Sequence, residues 1–215
     1  MDLDLYVITD EKIAGGRSHA EIACRAIEGG ADVIQLRDKC CGPAALCRTG
    51  REIRKITAES GTLFIVNDMP DVALSCKADG VHLGQGDMRV EAARRLAPRP
   101  FVIGVSVGSV REAVAAENAG ADYVALSPLF DTSSKNDAGA GHGLFVLREI
   151  REGVSVPVMA IGGIGRENVG SVISAGADGV AVISAVVGQP DIAAAARDLK
   201  NRIAAAKRET RGDHR

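Results

Sequence analysis

Short hydrophobic runs alternate with longer segments of helical periodicity along almost the whole sequence. The runs are rich in Val, Ile and Ala and are bounded by Gly, Asp or Asn, which is typical of buried parallel strands. Eight strands are predicted, at Leu5–Thr9, Val33–Arg37, Leu63–Asn67, Val81–Leu83, Val102–Ser106, Tyr123–Ser127, Val158–Ile161 and Val180–Ser184. Helices are predicted at Ser18–Glu28, Ala44–Glu59, Val90–Leu96, Val110–Asn118, Leu144–Glu152, Glu167–Ala175 and Asp191–Lys207. The order predicts repeated βα units.

A weak internal repeat precedes the even-numbered strands. Each copy places Gly or Ala, then Asp, just before the strand, as a tight turn from helix to strand requires. The aspartates of the four copies are Asp32, Asp79, Asp122 and Asp178. Because these turns fall at the amino-terminal ends of the strands, we interpret the four carboxylates as structural.

Eight βα units close most simply into a (β/α)₈ TIM barrel, a fold of roughly 200 residues or more. We predict one such domain over residues 1–206, followed by a charged, frayed tail at 207–215. An open doubly wound sheet is the alternative. It is disfavoured because Thr9-Asp10-Glu11-Lys12 stands where that fold carries a glycine-rich phosphate loop.

Composition and charge narrow the class of protein. The 215 residues are 46% hydrophobic, with 26 basic and 28 acidic side chains, which indicates a soluble globular protein without the cationic surface that nucleic acids or anionic membranes attract. The absence of a long apolar run, and acid at the N-terminus, predict a cytoplasmic location. Five cysteines without a Cys-x-x-Cys pair predict free thiols.

Candidate chemistry lies where the strands end, because the active sites of such barrels form at the carboxyl ends of the strands. Gln35, Arg37 and Lys39 follow one another at alternate positions at the end of the second strand. An Arg fork and a Lys point charge together suit a phosphate, and the Gln suits a flat polar group. A surface run of salt bridges is the alternative interpretation.

Two acidic residues follow neighbouring strands. Asp68 comes after the third strand and Asp87 after the fourth, so their carboxylates are expected to lie close together. Such a pair either shares a proton or holds a hard cation through oxygen ligands, and the basic residues of the same mouth favour Mg²⁺ bound jointly with a diphosphate. Helix N-capping by both residues is the alternative.

Two further segments are typical of a phosphate-binding site and of a loop that covers the substrate. Gly162-Gly163 before a helix, with the turn after Ile183-Ser184, matches the phosphate site that barrels build after strands seven and eight. The long segment from Pro128 to Gly143 is expected to close over substrate, with Thr132, Ser134 and Lys135 at its working end.

With these residues assembled, the sequence resembles the thiamine phosphate synthase family from Tyr6 to Ala185. The matching motifs, in order, are Tyr6-Val7-Ile8-Thr9-Asp10, Gln35-Leu36-Arg37-Asp38-Lys39, Asn67-Asp68, His82-Leu83-Gly84-Gln85-x-Asp87, Gly104-Val105-Ser106, Thr132 to Lys135, Gly162-Gly163-Ile164 and Val182-Ile183-Ser184-Ala185. One motif of this kind is weakly specific, whereas eight in order are strongly so.

The resemblance implies a transferase that joins 4-amino-2-methyl-5-hydroxymethylpyrimidine diphosphate to a thiazole phosphate, giving thiamine phosphate and pyrophosphate. It implies that the pyrimidine diphosphate is held by Gln35, Arg37, Lys39, Asn67, Ser106 and Lys135. It implies Mg²⁺ as cofactor on Asp68 and Asp87, and it implies a thiazole phosphate site made of Thr132, Ser133, Ser134, Gly163, Ile183 and Ser184. Catalysis is expected from Arg37, Lys39, Lys135 and Ser106. The partners are then small molecules, with a homo-oligomer left open.

The sequence departs from the family pattern at two positions of the long loop. Asp131 stands where Pro is frequent, and Ser134 replaces a usual Thr while keeping the hydroxyl. Two alternative functions stay open. One is a thiazole tautomerase of the related TenI type, whose proposed catalytic His falls where this sequence has Pro128. The other is a non-catalytic sensor of phosphate ligands.

Overall fold

The computed structural model describes residues 3–132 and 140–212, with side chains as far as residue 210. Eight parallel strands pair in sequence order, and β1 pairs with β8 through Tyr6 and Ala181, so the sheet closes into a barrel. The strands are β1 Leu5–Ile8, β2 Val33–Leu36, β3 Leu63–Asn67, β4 Gly80–Leu83, β5 Val102–Val107, β6 Tyr123–Leu126, β7 Val158–Ile161 and β8 Gly179–Val182. The predicted TIM barrel is therefore confirmed.

Helices follow the strands and cover the barrel. They are α1 His19–Glu28, α2 Pro43–Ser60, α3 Pro70–Ser75, α4 Val90–Leu96, α5 Val110–Asn118, α6 Gly143–Gly153, α7 Val169–Ser174, α8 Ser184–Val187 and α9 Ile192–Gly212. No bounds were predicted for the two short helices α3 and α8, although a helical segment was expected after Asp68. The prediction also ended the last helix at Lys207, whereas α9 runs to Gly212, so most of the expected frayed tail is helical. No helix among the described residues is long and apolar enough to cross a membrane.

The apolar residues divide into two cores because successive side chains of a strand point to opposite faces. Leu5 and Val7 of β1 point outward and pack with the helices in the larger core. Tyr6 and Ile8 point inward, where they join Met159 and the other inward side chains in the smaller core that fills the barrel. The interior of the barrel is therefore filled with side chains, and the polar groups of the predicted site lie at its mouth.

The four repeated aspartates tie the strands together at the closed end of the barrel. Each carboxylate accepts a hydrogen bond of 2.8 Å from the backbone N–H of an odd-numbered strand, and each aspartate N–H donates back to the carbonyl of that same strand residue. The pairs are Asp32 with Leu5, Asp79 with Phe64, Asp122 with Ile103 and Asp178 with Val158. The structural interpretation of these residues agrees with this geometry.

A basic side chain from a covering helix completes each of these four sites. The ion pairs are Asp32 with Lys200 at 2.6 Å, Asp79 with Arg54 at 2.8 Å, Asp122 with Arg94 at 2.5 Å and Asp178 with Arg151 at 2.5 Å. The same arrangement therefore recurs in each quarter of the barrel. It lies at the opposite end from the predicted site, so stability and chemistry are separated along the barrel axis.

Candidate active site

The acidic and basic residues predicted for a diphosphate lie together on the β2 to β4 side of the barrel mouth. The carboxylates of Asp68 and Asp87 lie close enough to interact, and the charges of Lys39 and Arg37 act on Asp68. Burial, and then the hydrogen bond and negative charge of Asp87, raise the pKa of Asp68 to about 6, although Lys39 and Arg37 oppose the shift. Two acids and two bases thus share one edge of the mouth.

Backbone geometry directs Asp68 into the mouth. Its φ is 63°, a left-handed conformation that is uncommon outside glycine, and its N–H donates to the carbonyl of His82 on β4 at 2.8 Å. The residues at the N-cap positions of α3 and α4 are Met69 and Arg89, neither with a side-chain capping bond. Capping by Asp68 and Asp87 is therefore wrong, and Asp87 instead accepts the N–H of Gly84 at 2.6 Å.

Arg37 is largely buried and forms an ion pair with Asp10. Its side chain is only 11% exposed, and its guanidinium lies 3.9 Å from the carboxylate of Asp10, beyond hydrogen-bond distance. Lys39 is exposed at the rim. Arg37 and Lys39 therefore lie at different depths in the mouth, where both can contact a charged group that binds at the rim.

The other residues expected to hold the pyrimidine lie deeper. Gln35 is 2% exposed, and its Nε2 donates to the hydroxyl of Tyr6 at 2.7 Å. Asn67 is half-buried at the end of β3. Ser106, half-buried near the end of β5, contacts Nε2 of His82 through its hydroxyl at 2.9 Å. These three side chains surround the centre of the mouth.

A cavity of about 410 Å³ occupies the opposite side of the mouth, after β6, β7 and β8. Four of the residues expected to bind the thiazole phosphate line it: Thr132, Gly163, Ile183 and Ser184. The short helix α8 begins at Ser184, which is the arrangement that barrels use to bind phosphate after their last two strands. Ser133, Ser134 and Lys135 lie outside the described residues.

Two positions beneath this cavity require glycine because the backbone packs closely there. Gly162 and Gly163 have φ of 108° and 63°, and a Cβ on Gly162 would lie 2.7 Å from that of Pro128. The loop after β6 therefore lies directly against the loop after β7. Asp131, the departure from the family pattern, accepts the N–H of Gly141 at 2.9 Å and joins the two described ends of the long loop.

The sequence analysis did not identify two polar networks that position the site. Inside the barrel, the hydroxyls of Tyr6 and Tyr123 are 3.0 Å apart and Tyr123 reaches His82 at 2.9 Å. The sequence carries a signal for this network, because both of its tyrosines fall at strand positions that face the barrel interior.

The second network lies near Arg37 and Lys39. Nδ1 of the buried His19 is 2.7 Å from the hydroxyl of Thr9, and its Nε2 is 3.5 Å from the carboxylate of Asp38. The other oxygen of Asp38 accepts the N–H groups of Cys40 and Cys41. The start of α1 is thus connected to the loop that carries both cations.

The donor set at Asp68 and Asp87 fits a magnesium ion. Among the described residues no group of three or more His, Cys, Asp or Glu side chains converges, so protein ligands beyond this pair are not at hand there. Mg²⁺ keeps several waters and takes oxygens from phosphates, so two carboxylates suit it. A divalent cation held by the two carboxylates would also relieve the repulsion that raises the pKa of Asp68.

Fold and site together define the class of protein: a TIM-barrel enzyme whose mouth binds phosphorylated small molecules. Comparison with known proteins agrees. The model of the family described as thiamine monophosphate synthase matches residues 5–186. The thiamine-phosphate synthase of Methanoregula boonei is 72% identical over 98% of both chains, and that of Methanoculleus marisnigri is 60% identical over 98% of this chain and 100% of its own.

A solved structure gives the same result. The thiamine phosphate pyrophosphorylase from Pyrococcus furiosus superimposes with a TM-score of 0.89 at 42% identity, covering 95% of this chain and 97% of the other. The chain belongs to the thiamine monophosphate synthase family. The resemblance stated from the motifs is therefore confirmed, and with it the classification as a transferase enzyme of thiamine biosynthesis.

Proposed function

We propose that the protein joins 4-amino-2-methyl-5-hydroxymethylpyrimidine diphosphate to a thiazole phosphate, forming thiamine phosphate and releasing pyrophosphate. The proposal rests on the way that the residues of the barrel mouth form two separate sides. Asp68 and Asp87 lie beside two cations on one side, and the phosphate cavity lined by Gly163 and Ser184 lies on the other. Two phosphorylated substrates can therefore meet over the barrel centre.

The β2 to β4 side holds the diphosphate of the first substrate. The Arg37 guanidinium can bind two phosphate oxygens at once, and Lys39 adds a point charge at the rim. Magnesium, which Asp68 and Asp87 would hold, supplies neutralisation of the charge that collects on the departing pyrophosphate. Lys135, outside the described residues, is proposed to add to the same charge.

The reaction needs no protein nucleophile. The bond between the pyrimidine methylene and the diphosphate oxygen breaks, and its electron pair leaves with the pyrophosphate. The exocyclic amino group of the pyrimidine donates electron density to the resulting carbocation. The thiazole nitrogen then gives its lone pair to the methylene carbon, forming the new C–N bond and the thiazolium cation of the product.

The protein's contribution is therefore electrostatic and positional. Arg37 and Lys39 stabilise the leaving group more strongly as its negative charge develops, which is how an enzyme lowers a barrier of this kind. The cavity after β6, β7 and β8 holds the thiazole phosphate so that its ring nitrogen is in line with the methylene carbon. Asp131, which lines this cavity, accepts the N–H of Gly141 and holds the two described ends of the loop together beside it.

An assay of both products tests the proposal. Purified protein with Mg²⁺ is given each substrate alone and then both together, and pyrophosphate and thiamine phosphate are quantified. We expect equal amounts of the two products, formed only when both substrates are present. Isomerisation of a thiazole carboxylate phosphate without pyrophosphate release would instead identify the tautomerase, and binding without any product would identify the sensor.

We also propose a cytoplasmic location. All five cysteines are free thiols, and Cys24, Cys40 and Cys41 are exposed. Exposed thiols persist in a reducing compartment. Recovery of the protein with membranes or in a secreted fraction on cell fractionation would contradict this.

A further inference from the structure

A hydrogen-bond network of five side chains crosses the barrel interior directly beneath the mouth. It runs from Gln35 to Tyr6, Tyr123, His82 and Ser106. The successive separations between polar atoms are 2.7, 3.0, 2.9 and 2.9 Å, all within hydrogen-bond distance. We call this set the interior network.

The interior network is deeply enclosed and closely packed. Tyr6 and Tyr123 are each 1% exposed, and the imidazole of His82 stacks on the Tyr123 ring with centroids 5.6 Å apart. Gly104 makes room for this ring, since a Cβ there would lie only 2.0 Å from Cζ of Tyr123. The position of the Tyr123 hydroxyl is therefore set by the shape of the barrel.

The chemistry of the Gln35 end determines the direction of every hydrogen bond in the interior network. The Nε2 amide of Gln35 can only donate, so the Tyr6 oxygen is its acceptor. The Tyr6 proton then goes to the Tyr123 oxygen, the Tyr123 proton goes to Nδ1 of His82, and His82 carries its own proton on Nε2. His82 therefore donates to the Ser106 hydroxyl oxygen.

The reverse direction is disfavoured. If Ser106 donated to His82, the imidazole would carry its proton on Nδ1 and donate to Tyr123, which would in turn donate to Tyr6. The Tyr6 oxygen would then accept from both sides, and its own proton would have no acceptor among the described residues. A buried donor without an acceptor is costly, whereas the forward direction leaves only the proton of the half-buried Ser106 to a partner outside the network. Burial also raises the pKa of both Tyr6 and Tyr123, which keeps them protonated donors.

The forward direction has one consequence at the mouth. Ser106 accepts from His82, so its own proton points away from the network, and Ser106 is half-buried at the end of β5 where the mouth opens. We propose that Tyr123 and His82 are positioning residues that make Ser106 a hydrogen-bond donor to an acceptor atom of the pyrimidine diphosphate. This inference rests on the proposed function for the identity of that substrate, but the direction of the network does not.

The protonation of His82 tests the direction without any substrate. Nitrogen-15 NMR of the full-length protein at pH 7.5 distinguishes the two neutral forms of each imidazole, and His82→Gln identifies the signal of His82. We expect a neutral ring protonated at Nε2 with Nδ1 accepting. A proton on Nδ1, or a doubly protonated ring, would overturn the proposal whether or not the protein forms thiamine phosphate.

A variant then tests the role of Tyr123. In Tyr123→Phe the donor to Nδ1 is lost, and we expect His82 to become a mixture of the two neutral forms. Thr57→Val is the matched control, because it removes a different buried hydroxyl, on α2, that donates to the Arg54 carbonyl. The control is expected to leave the His82 signals unchanged.

Kinetics test whether Tyr123 acts through Ser106. We expect Tyr123→Phe to lower kcat by roughly 5- to 20-fold, the effect of one neutral hydrogen bond, with little change in KM. In the Ser106→Ala background the same substitution is expected to have less than a twofold effect, because the group it orients is gone. Equal losses in both backgrounds would show a merely structural role for Tyr123 and contradict the proposal.

Discussion

The carboxylates of Asp68 and Asp87, which follow the neighbouring strands β3 and β4, interact with each other. Two carboxylates this close repel each other when both are ionised. Burial and the nearby Asp87 accordingly raise the pKa of Asp68 to about 6. At neutral pH the interaction between the two carboxylates therefore destabilises the folded protein, as expected for a pair of acids that binds a cation.

Asp68→Asn is expected to stabilise the metal-free protein at pH 7.5. The pKa of Asp68 is higher in the folded protein than its ordinary value of 3.8. Its ionisation therefore costs stability above the folded pKa, and this cost disappears as the pH falls below the unfolded pKa. After discounting for solvent screening we expect a gain of about 1 kcal/mol, or roughly 2 to 4 °C in Tm.

Thermal unfolding in the presence of a chelator, at pH 7.5 and at pH 4, measures this effect. The gain is expected at pH 7.5 and is expected to shrink at pH 4. The exposed Asp71 on α3 supplies the control, since Asp71→Asn is expected to change Tm little at either pH. A loss of stability in Asp68→Asn at pH 7.5 would mean that the two carboxylates do not repel each other.

Arg37→Gln is expected to lower kcat by roughly 100- to 1,000-fold, as loss of one preorganised donor to developing charge does. The low exposure of this guanidinium, 11%, concentrates its effect on the leaving group. Steady-state kinetics with both substrates measures the change. Arg51→Gln, on the exposed part of α2, is the matched control and is expected to retain full activity. An unchanged kcat in Arg37→Gln would remove Arg37 from the site.

Asp122→Ala is expected to destabilise the barrel while leaving its chemistry intact. The substitution removes the acceptor of the Ile103 N–H and the carboxylate that pairs with Arg94, whose guanidinium keeps its bonds to backbone carbonyls. We expect a loss of about 2 to 3 kcal/mol in unfolding free energy. Asp198→Ala breaks the exposed pair with Arg202 on α9 and is expected to cost less than about 0.5 kcal/mol.

Denaturant unfolding compares the two variants, and activity is measured at a temperature where both are folded. Equal stabilities would contradict the structural role of the repeated aspartates. A large loss of kcat in folded Asp122→Ala would contradict the separation of stability and chemistry along the barrel axis.

Gly104→Ala is expected to displace Tyr123, because the added Cβ would overlap its ring. We expect a loss of about 1 to 3 kcal/mol in stability, typical of an overpacked core, together with a fall in kcat. Gly170→Ala, on α7 with open space around the added Cβ, is expected to stabilise by about 0.5 to 1 kcal/mol. If Gly104→Ala behaved like Gly170→Ala, the close contact with Tyr123 would be wrong.

Much of this architecture follows from local sequence patterns. The strands are predictable because buried parallel strands are short, β-branched and bounded by turn residues, and the repeated Asp32, Asp79, Asp122 and Asp178 mark four equivalent turns. The bounds of the short helices α3 and α8 were not predicted, and the four residues of α8 are too few for a helical period to show. The end of α9 was missed because propensity allows a charged helix to continue past its last packed turn.

The site was predictable where strand ends carry charge and unpredictable where side chains meet across the barrel. Asp68 and Asp87 lie at the ends of neighbouring strands, so their meeting follows from parallel-strand order alone. The contact of Tyr6 with Tyr123 joins residues 117 positions apart, and no local pattern encodes which inward side chains touch. The link from His19 to Asp38 is likewise a tertiary contact.

We propose that the Asp68 and Asp87 pair holds a magnesium ion that assists departure of the pyrophosphate. The most direct measurement is pyrophosphate release as a function of Mg²⁺ concentration for the wild type, the Asp68→Asn/Asp87→Asn double variant and Asp71→Asn. We expect pyrophosphate release to depend saturably on Mg²⁺ in the wild type and in Asp71→Asn. In the double variant we expect turnover to be lower by roughly 100- to 1,000-fold even at high Mg²⁺, because several kcal/mol of charge stabilisation are lost. Wild-type release that persists in excess chelator, or a double variant with the wild-type Mg²⁺ dependence, would contradict this proposal.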